Sequence, residues 1–376
     1  MAREIAVYVH WPFCQAKCPY CDFNSHVSAR IDHDRWARAY GAEIDRYGGE
    51  IGDARVVSVF FGGGTPSLMP AKLVDQILGK IQSTWQVAND FEVTLEANPT
   101  SVEIARFAGY HAAGVSRISI GIQSLNDVHL RALGRLHSAR EARDALATAQ
   151  SIFDRISGDL IYARQNQSLE DWRVELEHAL SLGLDHMSLY QLTIEDGTAF
   201  AHRFKAGGLK GLPGEDLAAD LYELTQEMCD AAGMPSYEIS NHARPGDECR
   251  HNLVYWRGGE YLGIGPGAHG RIEADQGWVG TEGVRAPQHW LNAVENSGSG
   301  EVPRLPIATP ERAVEYVMMS LRLQEGTEFA RARAVIDTQR LDALVQDGFA
   351  WRRDGRFGAT HKGRPVLNAV LAELLI

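Results

Sequence analysis

Six short apolar runs, each followed by an amphipathic stretch, decide what this chain can fold into. The runs are IAVYVH (5–10), VVSVFF (56–61), FEVTLE (91–96), SRISIG (116–121), ISGDLI (156–161) and DHMSLY (185–190). Each has the length and β-branched or aromatic content of a strand. Between them, 32–48, 70–85, 101–113, 138–153 and 168–183 read as helices, and Ser138 with Glu141 makes a capping box at the start of one of them. Strand, helix, strand at this spacing predicts βα units around a parallel sheet. Six units are too few to close an eight-stranded barrel. The expected fold is therefore α/β, a partial (β/α)6 TIM-like barrel. In such sheets ligands sit at the C-terminal ends of the strands. Those ends read HWPFC, FGGGTP, EANP, GIQS and DLIYARQNQ, so glycines and polar groups gather at one end of the barrel.

The texture changes near residue 300. GSGEVPRLP (298–306) reads as a linker. A helix opens at Thr309-Pro310, with the proline suited to a first turn. A second covers 337–347, two short strands flank Asp354-Gly355, and a last helix runs over 362–375. Helix, helix, hairpin, helix resembles an α+β winged-helix-like module. The domains expected are 1–230, the barrel core; 231–300, an extension packed on it; and 301–376, the winged-helix-like module. The charge balance argues against nucleic acid as a partner. Lys+Arg is 37 against Asp+Glu 49, a net charge of −12, with no cationic block, whereas phosphate binding leans on clustered cations. The module is read as a cap on the barrel. No apolar run approaches the roughly 18 residues of a membrane span. The opening MAREIAVYVHWPF lacks the cationic start and cleavage site of a secretory signal. A cytoplasmic location is expected.

Three of the five cysteines, Cys14, Cys18 and Cys21, fall at C-x3-C-x2-C spacing just after the first run. Five is an odd number and the cytosol is reducing, so a disulfide framework is not expected. Zinc sites draw four ligands; here Cys249 with His10 or His26 would have to complete one. A [4Fe–4S] cluster that only carries electrons takes four thiolates. Three leave one iron without a protein ligand, and an open coordination position marks a site that binds something. A small ligand with an amine and a carboxylate, beside a bond that one electron can break, fits that position. S-adenosylmethionine (SAM) is such a molecule.

The motif resembles that of the radical SAM superfamily. HWPFCQAKCPYCDF (10–23), FFGGGTPSL (60–68), EANP (96–99), RISIGIQS (117–124), LGRLH (133–137), YEISNHARPGDECRHNLVYW (237–256) and YLGIGPGAHG (261–270) narrow the likeness. They resemble the branch holding oxygen-independent coproporphyrinogen III oxidase and the HemW-like heme chaperones, over roughly residues 5–370. The resemblance implies that Cys14, Cys18 and Cys21 hold a [4Fe–4S] cluster. It implies that Gly63, Gly64 and Thr65 of the glycine turn lie against the methionine end of SAM. Glu96, Gln123 and Arg135 would hold the polar parts of SAM, and Asp159 would contact it too. Tyr8 and Tyr20 match aromatic positions near substrate and nucleoside. Taken without the family, the glycines read as a tight turn, Glu96 as a surface charge and Tyr8 as barrel core. Asp159, late in an apolar run, needs a partner because an unsatisfied buried acid is costly. One departure stands out: many relatives carry Gly-Leu-Pro-Gly-Gln where this chain has Ala163-Arg164-Gln165-Asn166-Gln167.

Three features separate the two kinds of relative. The oxidases carry an N-terminal extension, expected to be absent here, and a further cysteine where this chain has Phe23. HNLVYW (251–256) resembles the HNxxYW motif of the chaperones. Histidine is a common axial ligand of heme iron, and Tyr255 and Trp256 offer flat faces to a porphyrin. His251 is thus the candidate heme ligand, with Cys249 and, more weakly, His269 beside it. Taken alone, a hydrogen-bonded loop histidine among core aromatics is the plainer reading of the same residues. The resemblance implies a heme-binding protein on a radical SAM scaffold that delivers heme to recipient apoproteins, respiratory enzymes among them. A homodimer and peripheral membrane association through recipients are further expectations. The alternative is SAM-dependent oxidative decarboxylation of coproporphyrinogen III.

Overall fold

Side-chain alternation shapes the core of the molecule. The computed structural model describes residues 3–376; Met1 and Ala2, counted in the core domain from sequence, lie outside the described residues. Strands Arg3–Trp11, Ala54–Gly63, Gln86–Ala97, Arg117–Gln123, Arg155–Tyr162 and His186–Gln191 pair in parallel in chain order. Successive strand residues point to opposite faces. One parity is apolar: Val7, Val9, Val59, Phe61, Val93, Leu95, Ile118, Ile120, Met187 and Leu189 are buried in the main core. The other parity is largely polar: Tyr8, Thr94, Glu96, Arg117, Ser119, Ser157, Asp159, His186 and Ser188 line a single inner cavity. Because all six strands contribute to one cavity, the sheet curves into a partial barrel with a polar lumen, and the helices cover its apolar outside.

The helices follow the expected stretches closely: His33–Ile51, Ala71–Thr84, Ala139–Gln150 and Leu169–Leu180. The capping box of Ser138 and Glu141 is formed, and Ser168 with Asp171 makes a second. The stretch 101–113 is instead two short helices, Ser101–Ile104 and Phe107–Ala112. The chain breaks where Arg106 turns to donate to the carbonyls of Ser67 and Leu68, at 2.9 Å each.

Strands absent from the sequence reading widen the sheet to eleven. Glu260–Ile264 pairs parallel to the first strand, and His269–Ala274, Gly277–Glu282 and Leu305–Pro306 continue antiparallel; Asn241–Ala243 edges the opposite side. Glycines masked this part of the sheet, since they weaken strand propensity. At Gly263 a Cβ would lie 2.2 Å from the His269 carbonyl oxygen, so a close approach of two backbones requires glycine there.

The stretch 298–306 is not a free linker. The Gly300 N–H donates to the buried Glu43 carboxylate at 2.7 Å, Arg46 and Arg304 both pair with Glu301, and Leu305–Pro306 joins the sheet. Its glycine and proline mark irregular backbone rather than freedom. Beyond it, helix Thr309–Ser320, strand Thr327–Glu328, helices Phe329–Ala332 and Thr338–Gln346, hairpin Ala350–Arg353/Arg356–Ala359 and helix Leu367–Leu374 form a winged-helix arrangement. Asp354 and Gly355 at the hairpin tip both have positive φ, 51° and 71°, as a type I′ turn needs. Val317, Leu321, Leu341, Phe357 and Val370 build a separate small core beneath it.

Glu43→Ala removes the acceptor of the Gly300 N–H and should reduce unfolding free energy by about 1–3 kcal/mol. Urea denaturation measures the loss. Hydrogen exchange at Gly300 should quicken in the variant while the barrel strands keep their protection.

Candidate cofactor site

At the C-terminal ends of the strands, the loop carrying the cysteines overhangs a cavity of about 560 Å³, within the roughly 300–1,000 Å³ of small-molecule sites. Phe13–Cys14 pairs with His26–Val27, the Cys21 N–H donates to the Cys18 carbonyl at 3.2 Å, and Asn24 Nδ2 donates to the carbonyls of Pro266 and Arg285 at 2.9 Å each. These bonds tie the cysteine loop to the far edge of the sheet. Cys14, Cys18 and Cys21 all line the cavity and are partly exposed. Thr65 Oγ1 donates to Cys14 Sγ at 3.4 Å, and Arg135 Nη1 reaches Cys18 Sγ at the same distance. Burial pushes the Cys14 and Cys21 thiols up, so loading a metal there must release protons.

Among the described residues, no three His, Cys, Asp or Glu side chains gather closely enough to hold one metal ion. The thiols instead ring the rim, which suits a cubane in which each thiolate takes its own iron. The residues suggested to complete a zinc site stand elsewhere. His10 is buried between the Tyr8 hydroxyl (3.1 Å) and the Asn24 carbonyl (2.9 Å); His26 bonds Asn24 Oδ1; Cys249 is buried in the barrel lumen.

Packing dictates the glycine turn. A Cβ at Gly62 would lie 2.8 Å from the Tyr8 ring, at Gly63 2.5 Å from the His10 ring, and at Gly64 2.7 Å from the Phe13 carbonyl oxygen. Gly63 also has φ +110°. Gly63, Gly64 and Thr65 therefore bring bare backbone to the cavity wall beside Cys14.

Tyr20, Glu96, Gln123, Arg135 and Asp159 line the same cavity. Glu96 accepts the Gly63 N–H at 3.2 Å. Burial, then the nearby Asp159, raises its pKa to about 8. Burial raises Asp159 to about 6, opposed by serine hydroxyls including Ser119 Oγ, which donates to it at 3.0 Å. Arg135 also donates to the Gly121 carbonyl at 3.2 Å and lies 3.5 Å from the Tyr20 hydroxyl. Gln123 has φ +63°, a strained conformation held at the cavity wall. One cavity thus offers a carboxylate for an ammonium, a guanidinium for a carboxylate and a second carboxylate for hydroxyls.

Three lining residues were not singled out from sequence. Asn98 links Arg135 to Thr65, Ser119 supports Asp159, and Tyr190 exposes 44 % of its surface beside the cavity. Period-two spacing from Glu96, Gly121 and Ser188 was the available signal. The Ala163–Gln167 turn lines no part of this cavity. Ala163 and Asn166, at the two positions where many relatives have glycine, both keep φ +55°. The buried Arg164–Glu175 pair holds the turn, with Glu175 also accepting Ser124 Oγ and the Leu125 N–H.

Tyr8 and His251 do not line the cofactor cavity; they face the lumen below it. HNxxYW is not an open loop but helix Arg250–Trp256, which closes the N-terminal end of the barrel. His251 is 1 % exposed, with Nδ1 3.0 Å from Ser58 Oγ and Nε2 2.5 Å from the Tyr255 hydroxyl, and its ring stacks on Phe60. Burial lowers its pKa to about 3. As placed, neither ring nitrogen is free for iron. Trp256 turns outward against Arg322 of the C-terminal module. His269 is half-exposed, 3.8 Å from Glu282.

The fold and the cysteine-rimmed cavity define a radical SAM protein, and the radical SAM superfamily model matches residues 8–179. Coproporphyrinogen III oxidase (HemN) from Escherichia coli shares the fold at a TM-score of 0.82 and 22% identity, with 99% of this chain and 90% of that chain covered. Heme chaperone HemW of Mycobacterium tuberculosis is 37% identical over 99% of this chain and 95% of its own, and that of Escherichia coli 35% over 98% and 97%. Radical S-adenosyl methionine domain-containing protein 1 of Bos taurus is 41% identical over 86% of this chain and 74% of its own. The chain belongs to the HemW family of the radical SAM superfamily.

Gly64→Ala should displace Phe13 and Cys14 and weaken SAM binding by roughly 5–150-fold, the equivalent of about 1–3 kcal/mol of overpacking; equilibrium dialysis with labelled SAM measures it. Stability should also depend on pH. Between pH 4.5 and about 8 folded Glu96 keeps a proton that the unfolded chain has released, so the ligand-free protein loses stability as pH rises through that window and levels off above it. Thermal midpoints at pH 6 and pH 8.5 test this, and Glu96→Gln should flatten the upper part of the slope.

Proposed function

We propose that this protein binds a [4Fe–4S] cluster through Cys14, Cys18 and Cys21, holds SAM in the cavity below, and carries heme for delivery to recipient apoproteins in the cytoplasm. When bound, the cluster supplies an electron and an open iron for the amine and carboxylate of SAM. Glu96 with the Gly63 backbone would orient the ammonium, Arg135 the carboxylate, and Asp159 the ribose hydroxyls. The HemW names of full-length relatives favour the heme-carrying role.

The observation that carries the choice against porphyrin catalysis is the size of the lower lumen. It is about 210 Å³, with His251, Asn252 and Tyr255 of helix Arg250–Trp256 along its wall, less than the roughly 300–1,000 Å³ of pockets that enclose even drug-sized ligands. A tetrapyrrole does not fit in this lower chamber. At the cavity mouth Phe23, 56 % exposed, offers a flat apolar face to a macrocycle. Ligation by His251 requires the barrel floor to open and its bonds to Ser58 and Tyr255 to break.

Anaerobically reconstituted protein should show a stable Soret band on heme addition. Cys14→Ser should lose the broad visible absorbance of the cluster. A Soret band diminished in His251→Ala would place heme on an opened floor; an unchanged one places it on the rim. No heme affinity, or protoporphyrinogen formed from coproporphyrinogen III with SAM and a reductant, would overturn the reading.

A further inference from the structure

The lumen that excludes a tetrapyrrole is itself built like a binding site. Glu96, Ser119, Asp159 and Tyr190 line both it and the SAM cavity, so the two share a wall. At the lower end stands Arg117, 1 % exposed. Its nearest carboxylate is Glu92, 3.6 Å away with no hydrogen bond between them; Glu92 lies closer to Arg155, at 2.9 Å, which also has Asp247 at 3.8 Å, and it accepts the Arg250 N–H at 2.9 Å. Arg117 Nη1 donates to the Asp247 carbonyl at 3.1 Å, but Nη2 has no partner. Thr94 Oγ1, on the neighbouring strand and 1 % exposed, also has none. Both residues line the chamber, together with the hydroxyls of Ser119, Ser157 and Ser188.

A buried guanidinium N–H left without an acceptor is expensive. Water can fill the acceptor role but brings no charge. A planar oxyanion offers two acceptor oxygens in the plane a guanidinium presents, and can make the charge-assisted hydrogen bond to Nη2 that Glu92, at 3.6 Å from Nη1, does not make. The other ionisable groups on the wall fix where it sits. Asp159 at the upper end repels an anion at neutral pH. At the lower end His186 is held between Ser157 Oγ (2.7 Å) and the Tyr237 hydroxyl (2.9 Å), and His251 between Ser58 and Tyr255. At about 30 Å³ of liquid volume per water, the chamber takes a small anion and several waters.

We infer that the lumen is a binding site for a small planar oxyanion, a carboxylate of the size of formate or bicarbonate, held by Arg117 Nη2 and the Thr94 hydroxyl beneath the SAM cavity. This does not rest on heme binding and holds whichever surface carries heme.

The full-length protein is titrated with 13C-formate and with 13C-bicarbonate at constant ionic strength, following NMR line width, with the thermal midpoint as a second readout. Saturable broadening is expected, weakened at least tenfold in Arg117→Met and several-fold in Thr94→Val. Thr94→Val leaves the charges in place and decides the matter if Arg117→Met does not fold. The two labels tell which anion is preferred. A linear response without saturation means ordered water alone and overturns the inference. So does binding that survives both substitutions, an adventitious ion only, or binding that is lost in Arg135→Met but kept in Arg117→Met, which would put the anion in the upper cavity.

Discussion

Everything in this molecule follows from a reversal of the usual strand alternation. The outward parity of the six strands is apolar because helices cover it, and the inward parity is polar because it faces a lumen rather than a packed core. A polar lumen must be satisfied by its own side chains or by ligands. Serines hold Asp159, the Gly63 N–H holds Glu96, and Ser157 with Tyr237 holds His186. Satisfaction is incomplete at the upper end, where Glu96 and Asp159 sit with raised pKa values. That end lies under the cysteines, where an ammonium and hydroxyls would restore both carboxylates to their charged forms.

The same reversal explains what could be read from the sequence. The six strands and most of the helices were legible because their periodicities are clean and their boundaries carry caps such as Ser138–Glu141. The winged-helix arrangement was legible from Pro310 and Asp354-Gly355. That Cys14, Cys18 and Cys21 would stand at one cavity needed only their spacing. Of the five extra strands, Glu260–Ile264, His269–Ala274 and Gly277–Glu282 were hidden by their glycines, as at Gly263, and Asn241–Ala243 and Leu305–Pro306 by their shortness. The apparent linker hid for a related reason: Gly300 and Pro306 look like flexible chain, and the bonds that fix them come from Glu43 and from another strand far off in sequence. Asn98, Ser119 and Tyr190 carry no motif signal of their own; their positions follow once the register of Glu96, Gly121 and Ser188 is known.

HNxxYW shows how a motif and its surroundings can point in different directions. Histidine beside tyrosine and tryptophan suggests a ligand and stacking faces. In the fold, the histidine and tyrosine bond each other inside the barrel and the tryptophan packs against the C-terminal module. The helix that carries them thus joins the lumen to that module, and anything that moves it must disturb both.

Asn24 has a role beyond its two hydrogen bonds. Through the carbonyls of Pro266 and Arg285 it fastens the short cysteine loop to backbone more than 240 residues away. The ordering of the cysteine loop and the ordering of that distant edge are therefore thermodynamically joined. A chain emerging from the ribosome cannot complete its cofactor pocket until nearly three quarters of it has been made, so maturation of this protein belongs to the finished polypeptide rather than to its N-terminal half.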